Sequence, residues 1–515
     1  MDNDAVAGLT ETNDQQYVDL NNYFLNARLA KNLPEKYARR FKAIILDIDK
    51  DGGYLIGMVN PQDLFAADEL TRVLRKPFSI LKVREEDLEY RLDQVYRRGS
   101  EIEGFTEELA SELQSRGTVQ EADRATDPAV VKLLQSIFED ALQVSASDIH
   151  IEPEESYLRI RMRVDGLLQE QKFSVKGKEY VVQALTQRLK LLAGLNIAER
   201  RLPQDGRFDI DVYDSRLSVR LSTMPVRFGE ALVMRLLRKN ARVYRLDDSG
   251  MDPEMLERFR HLIRLANGII LVTGPTGSGK TTTLYGALSE INDVSKNIIT
   301  IEDPIEYLLD GANQVQVNSQ IGLTFGRVLR AVLRQDPDVL LVGEIRDQET
   351  AEIALRAAMT GHMVFATLHT NDAPSSVARL VDIGVESFLV ASTVVAVLAQ
   401  RLLRKICPRC AVSCKISDNE RLYLSSFFSE EQLNREFAVG KGCEYCGHTG
   451  YKGLLGVFDL LELTYDMKET LRREGSDGFM NSIGENGRLA LIRNAFQLAL
   501  EKKVSLAEII RVVGV

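Results

Sequence analysis

The sequence predicts a multidomain α/β protein, and three observations carry that expectation. The chain has 515 residues, too many for one hydrophobic core when a domain takes roughly 150. Apolar strand-like runs alternate with polar helical ones through most of its length. A glycine-rich segment, Gly274 to Thr282, stands directly between such a strand and such a helix.

Composition narrows the class. An apolar fraction of 44% and a charged fraction of 27% are those of a globular chain, and a net charge of -10 gives no overall attraction to nucleic acid. The opening residues, MDNDAVAGLTETND, have neither the basic start nor the apolar stretch of a secretory signal, so a cytoplasmic location is expected. The longest apolar run, Phe388 to Ala399, falls short of the roughly 20 residues that span a bilayer, so any membrane association is expected to be peripheral.

Along the chain, residues 1–100 read as a small α/β module, with strands in KAIILDID and GYLIGMVN and a helix in PQDLFAADELTRVLRK. Residues 101–126 are polar and charged without a sustained apolar face, which reads as a linker. A second domain is expected over 127–240, with a helix through VVKLLQSIFEDALQ and strands in YLRIRMRV, RFDIDVY and RLSVRLSTM. Over 248–405 the strands GIILVTG, NIITIED, DVLLVGE and MVFATL alternate with helices, the pattern of parallel strands joined by crossover helices. A cysteine-bearing insert over 406–455 and a helical region over 456–515 complete the expectation.

The segment Gly274, Pro275, Thr276, Gly277, Ser278, Gly279, Lys280, Thr281 and Thr282 fits the G-x-x-x-x-G-K-[ST] pattern with the flanks that pattern needs. Glycines let backbone N–H groups turn toward phosphate oxygens, and the helix start adds its positive end. A lysine at the Lys280 position neutralises the outer phosphates, and a hydroxyl at Thr281 ligates Mg²⁺. ATP and Mg²⁺ are therefore the expected ligands. A glycine-rich turn of some unrelated fold is the bland alternative, and the flanking strand and helix weigh against it.

Downstream, DVLLVGEIRD ends an apolar strand in Glu344, the candidate carboxylate for orienting an attacking water. Gly343 stands where many phosphate-loop proteins carry a metal-holding acid, so Glu302, Asp303 and Glu306 in TIEDPIEY are candidates for that contact. Either acidic segment alone reads equally well as a solvated strand end. GHMVFATLHTND places His362 and His369 on either side of a strand whose end is expected to face the same phosphates, His369 as a sensor of the γ-phosphate and His362 as part of a switch segment, although a lone histidine is more often structural. Cys407–Cys410 and Cys443–Cys446 form two CxxC pairs separated by thirty-two residues, suited to a closed tetrahedral Zn²⁺ site. Cys414 and His448 are spare donors, read as bystanders.

Taken together, the phosphate loop, TIEDPIEY, the stretch LRQDPDVLLVGEIRDQETAEIALRAAMTGHMVFATLHTNDA and the two CxxC pairs resemble the secretion ATPases of type II secretion systems and type IV pilus assembly. The resemblance runs from about Asp127 to the C-terminus. It implies a RecA-like ATPase core preceded by a PAS-like domain, here carrying SASDIHIEP, RIRMRVDG, RLPQDGRFDI and SVRLSTMP. In that family this domain supplies arginines to the nucleotide; the positions that match are Arg207 and Arg220, with Arg161 and Arg163 as weaker matches. The resemblance also implies a cytoplasmic homohexamer that works on an inner-membrane platform protein and its cytoplasmic adaptor, with no nucleic-acid partner.

Within the family, the wording of the N-terminal module resembles the ATPase of MSHA-type pili, which implies pilin polymerisation as the work performed. Type II secretion through a pseudopilus is the rival reading. Retraction ATPases are shorter and lack both the module and the CxxC insert, and a regulatory module without turnover would be expected to lack Glu344 or the arginines. Close relatives bind cyclic di-GMP through leucine-rich motifs that open on an Arg-Leu-Gly triplet. The first thirty residues here lack that spacing, so such regulation is not expected.

Overall fold

The computed structural model describes residues 9–514 apart from 11–16, 96–127, 172–177, 239–244 and shorter gaps, so the linker expected at 101–126 lies outside the described residues. Two compact units meet in sequence at Arg238/Lys239.

The first unit holds two sheets. In the N-terminal module β1 (Leu9–Thr10), β2 (Tyr17–Val18), β3 (Ala43–Ile48), β4 (Tyr54–Met58) and β5 (Phe78–Val83) are ordered β1-β2-β5-β4-β3, with helices α1 (Ala27–Ala30), α2 (Glu35–Arg40) and α3 (Leu64–Leu74). Asp63 starts α3 by accepting from the Ala66 N–H at 3.0 Å, and Arg75 ends it in the left-handed region. Ala66 and Leu70, one turn apart, are thereby set into the core with Ile44, Ile56 and Met58.

The second sheet is wholly antiparallel. Helix α4 (Pro128–Gln143) precedes β6 (Asp148–Pro153), β7 (Leu158–Val164) and β8 (Leu167–Gln171); α5 (Lys178–Leu192) precedes β9 (Gln204–Val212), β10 (Ser215–Val226) and β11 (Gly229–Arg238). The strand order is β8-β7-β6-β11-β10-β9. Strand alternation decides what each face carries. Leu217, Val219 and Leu221 of β10 are buried with Ile137 and Phe138 of α4 and Leu185 of α5, while Arg216 and Arg220 face out.

The second unit is built on a seven-stranded sheet. Its strands are β12 (Gly268–Thr273), β13 (Ile298–Glu302), β14 (Ala312–Gln316), β15 (Val339–Val342), β16 (Met363–Leu368), β17 (Val394–Ile406) and, numbered after the insert, β20 (Tyr451–Glu462). The order is β14-β13-β15-β16-β12-β17-β20, and every pairing is parallel except β17 with β20. Helices α6 (Pro253–Leu262) and α7 (Lys280–Ile291) join the core on one face; α8 (Phe325–Val332), α9 (Gln348–Met359), α10 (Ala373–Asp382) and α11 (Ser387–Thr393) join it on the other. All six residues of β12 are buried, Ile269 and Leu271 toward one cluster and Ile270 and Val272 toward the other. A strand covered on both faces reads as an unbroken apolar run, and GIILVT does.

The sheet does not end at residue 405. Strand β17 is thirteen residues long, and β12 pairs only with its first half. On its other edge β17 pairs antiparallel with β20, drawn from beyond the cysteines, from Ala396 through to Ile406, and in the far half the Arg404 N–H donates to Glu508 Oε1 at 3.0 Å. The insert between them carries β18 (Ala411–Cys414), α12 (Asp418–Leu424), α13 (Glu430–Leu433) and β19 (Phe437–Gly440). After β20 the chain is helical, interrupted at Gly475 and Gly484, and ends in α15 (Ala490–Leu500) and α16 (Leu506–Val513), counting Tyr465–Arg488 as α14.

Candidate active site and cysteine centre

The glycine-rich segment lies at the carboxyl ends of the parallel strands. Thr273 is level with Leu368 of β16 on one side and Ala399 of β17 on the other, so the loop leaves the sheet between residues 369–372 and residues 400–401. Gly274, Gly277 and Gly279 all have positive φ, and a Cβ on Gly274 would lie 2.4 Å from the Gln400 carbonyl oxygen. Only glycine fits there. Pro275, Thr276 and Gly277 form the exposed crest, and Thr281 and Thr282 open α7 half-buried.

Lys280 turns back over the loop. Its Nζ donates to the carbonyls of Gly274 at 2.8 Å and Pro275 at 3.1 Å, and burial draws its pKa down to about 8 against the opposing pull of Glu344. The Ser278 hydroxyl is buried and has no hydrogen-bond partner among the described residues. A buried donor without a partner costs about 1–3 kcal/mol, and a phosphate oxygen over the loop would satisfy both it and the lysine. Phosphate groups therefore fit these residues.

Glu344 follows β15. Gly343 before it donates to Ile301 O at 2.7 Å, and a Cβ there would lie 3.0 Å from that oxygen, so close strand approach explains the glycine. The Glu344 carboxylate is mostly buried, with Arg346 Nη2 at 2.5 Å and His369 Nε2 at 3.6 Å. Burial and the nearby Lys280 ammonium hold the His369 pKa below its ordinary value while Glu344 opposes them. At neutral pH the imidazole is consequently uncharged. Lys280, Glu344 and His369 thus share one electrostatic neighbourhood.

His362 and Glu302 are held by contacts of their own. His362 lies at the opposite end of the six-residue β16, roughly 20 Å from His369 at about 3.3 Å per residue. Its Nδ1 contacts Ala357 O at 2.9 Å and holds the turn after α9. Glu302 is 3% exposed, and its carboxylate accepts from Thr300 Oγ1 at 2.6 Å, from Gln314 Nε2 at 3.2 Å and from the Tyr285 hydroxyl. Burial, with that carboxylate, pushes the Tyr285 pKa up, and burial raises that of Tyr307 to about 12. Glu302 is thus a buried, hydrogen-bonded acid. Asp303 beside it is exposed and Glu306 half-buried.

In the antiparallel sheet Arg207 lies directly opposite Arg220 across β9 and β10, and Arg220 opposite Arg235 across β10 and β11. Arg235 reaches Asp148 Oδ1 at 3.2 Å, whereas Arg220 has no salt-bridge partner among the described residues. Arg161 is committed to Glu152 at 2.6 Å, and Arg163 donates to Gly166 O at 2.9 Å beside Asp148.

The sulfurs of Cys407, Cys410, Cys443 and Cys446 all lie within 4.8 Å of one another, and Cys443 Sγ is 3.8 Å from Cys446 Sγ. Tetrahedral Zn–S bonds of about 2.3 Å imply S···S separations of about 3.8 Å. The Gly442 N–H points at Cys410 Sγ at 3.3 Å and the Cys443 N–H at Cys446 Sγ at 3.2 Å, as suits thiolates. Zn²⁺ fits this set. Cys414 and His448 stand outside it.

Sequence reasoning missed Arg346, Arg235, Gln400 and Arg401. The last two left a signal, two strongly polar residues in the middle of the apolar run Val394–Ile406.

Comparison with known proteins gives the same picture. A family model described as "Type II/IV secretion system protein" matches residues 123–511, and one described as "MshEN domain" matches residues 13–102. The chain is 42% identical to the type II secretion system ATPase E of Vibrio cholerae over 87% of this chain and 90% of the relative. It is 37% identical to the type IV pilus assembly ATPase PilB of Myxococcus xanthus over 90% of this chain and 83% of the relative. Among solved structures, the pilus retraction motor PilT with bound ADP is 27% identical, with a TM-score of 0.50 over 73% of this chain and 96% of that one. The Legionella pneumophila ATPase DotB, at 20% identity and a TM-score of 0.55, covers 73% of this chain and 94% of its own and shares the fold.

Proposed function

The chain belongs to the type II/IV secretion system protein family and is an ATPase, and on that premise we propose that it powers pilin polymerisation in assembly of a type IV pilus of the MSHA kind. The single observation that carries the pilus assignment is the MshEN-domain match over residues 13–102. Type II secretion of folded proteins is the second reading; the family also holds the Vibrio cholerae secretion ATPase, 42% identical to this chain. The ATPase part is common ground, so the N-terminal module is what separates the two readings.

In this reading the N–H groups of Gly277 to Thr281 and the Lys280 ammonium bind the phosphates, and Thr281 holds Mg²⁺, whose charge offsets that of the phosphate oxygens. Glu344 orients the attacking water and takes up its proton at a carboxylate oxygen, with Arg346 and His369 fixing the carboxylate. Arg220 and Arg207 supply positive charge to the transferring phosphoryl group. Like charges directly opposite across a sheet destabilise it, so Arg220, set between Arg207 and Arg235 and without a salt bridge among the described residues, is the arginine best placed to receive an anion. The four cysteines hold a structural Zn²⁺ that staples the insert. The working form is a homohexamer, with an inner-membrane platform protein and its cytoplasmic adaptor as partners. Among the described residues no helix is long and apolar enough to cross a membrane, so membrane contact runs through those partners.

Removing the gene from its host tests the assignment. Loss of surface pilin with secreted enzymes unchanged is expected; loss of secreted enzymes with pili intact transfers the chain to protein export. For the cysteine centre, elemental analysis should find about one Zn²⁺ per chain and lose it in Cys443→Ser. Unchanged metal content in that variant refutes the site.

A further inference from the structure

Strand β17 outruns β12 at the phosphate loop. Ala399 is the last residue level with β12, and Gln400 and Arg401 run on beneath Gly274. Gln400 accepts from Thr283 Oγ1 of α7 at 2.8 Å. Arg401, only 7% exposed, donates through Nη2 to the Asn371 carbonyl at 2.7 Å and through Nη1 to its neighbour Gln400 O at 3.1 Å. The same Nη1 lies 3.2 Å from where a Cβ on Gly274 would stand. One guanidinium therefore touches the floor of the phosphate loop and the loop that follows His369.

A buried charge is costly unless paired and hydrogen-bonded. Here the hydrogen-bond partners are two backbone carbonyls, and the charge of the Asp372 carboxylate opposes the effect of burial on Arg401 without a direct ion pair among the described residues. An apolar residue would fill this position of β17 without that cost; what the arginine adds is the tie to Asn371. Its reach ends on Asn371, two residues after His369, and the same loop is fastened to β12 by the Thr370 and Thr273 hydroxyls, 2.7 Å apart.

We propose that Arg401 is a positioning residue for ATP hydrolysis, fixing the His369–Asp372 loop beneath the phosphate loop so that His369 keeps its register with Glu344. The inference rests on the reading of Gly274–Thr282 as the ATP site. Arg401 makes no contact with substrate in this role; it acts through His369. A displacement of about 1 Å in such a group costs roughly a hundredfold in rate, so its removal should act on turnover rather than on binding.

The test is steady-state hydrolysis and ADP affinity of the full chain, with thermal melts as a check on folding. In Arg401→Gln the expected result is a kcat lowered about tenfold or more, with KM for ATP and Kd for ADP within about threefold of the parent. Arg401→Lys, which keeps the charge but not the fork, should recover only part of the loss. The double variant Arg401→Gln/His369→Ala should be no slower than the slower single variant. Multiplying effects, an unchanged kcat, or a His369→Ala that turns over normally each overturn the proposal; a proportional loss of ADP affinity does so by making Arg401 a phosphate ligand. Should Arg401→Gln fail to fold, Thr370→Val loosens the same loop without burying a new group, and the same kcat-only loss is expected of it. A Lys280→Ala chain that hydrolyses ATP at the parent rate would refute the underlying reading instead.

Discussion

The sheet that carries Lys280 is covered on both faces, whereas the sheet that carries Arg220 is covered on one and presents a row of guanidinium groups on the other. In the first, the binding groups are backbone and side chains already tied to one another: Lys280 to two carbonyls, Glu344 to Arg346 and His369, Arg401 to Asn371. In the second, Arg220 faces two other arginines and has no acidic partner among the described residues. Preorganisation thus takes two forms in one chain. The core holds its groups in place by satisfying them, and the antiparallel sheet holds the Arg220 charge among like charges with no salt bridge among the described residues.

That contrast can be broken by mutation. The largest expected effect is at Arg220: Arg220→Gln should lower kcat about 10³-fold, the lower end of what an arginine acting on a transferring phosphoryl group contributes. A rate within threefold of the parent in a phosphate-release assay would show that the row is not part of the site. Next comes Glu344→Gln, expected to cost about 10²-fold or more in hydrolysis while ATP binding, followed by fluorescent nucleotide titration, is retained.

A smaller effect concerns an uncompensated charge inside the core. Asp459 of β20 is buried near Asp372, and burial pushes its pKa up to about 7. A carboxyl whose pKa is raised on folding contributes stability that is complete below about pH 4 and is lost as the pH rises through about 7. At about 1.4 kcal/mol per unit, the penalty above that pH is on the order of a few kcal/mol. Asp459→Asn should therefore melt higher than the parent at pH 8, with the difference shrinking as the pH falls toward 4; equal melting at both ends removes the burial argument. The smallest effect sharpens the comparison most. Relieving the like-charge row, Arg220→Gln should stabilise the chain by about 0.2–1 kcal/mol while it slows turnover, and a destabilised variant would mean that the arginine is held by partners after all.

Residues adjacent in sequence made the phosphate loop legible, because a turn with three positive-φ glycines, an apolar strand before it and a helix after it is specified locally. The same holds for the cysteine pairs, where two CxxC turns each bring two sulfurs together. Family membership and the ATPase assignment were legible for that reason, as was the α/β class from its alternating runs. His362 and Glu302 were read from motif position, and position in a motif does not say which hydrogen bonds a side chain makes. Six residues of β16 put His362 at the far edge of the sheet, and the hydrogen bonds offered by Tyr285, Thr300 and Gln314 draw the Glu302 carboxylate into the core.

The sequence by itself determined the backbone turns, the apolar strands and the inventory of charged groups, because these depend on neighbours a few residues apart. Tertiary structure alone decided which charges meet. Arg207, Arg220 and Arg235 become a row only through antiparallel register, β20 meets the core sheet only by pairing along the free edge of β17, and Arg401 reaches Asn371 only because parallel strands end at different heights. Register and strand length are set by burial of whole faces, a property distributed over the sheet and written in no single segment of the chain.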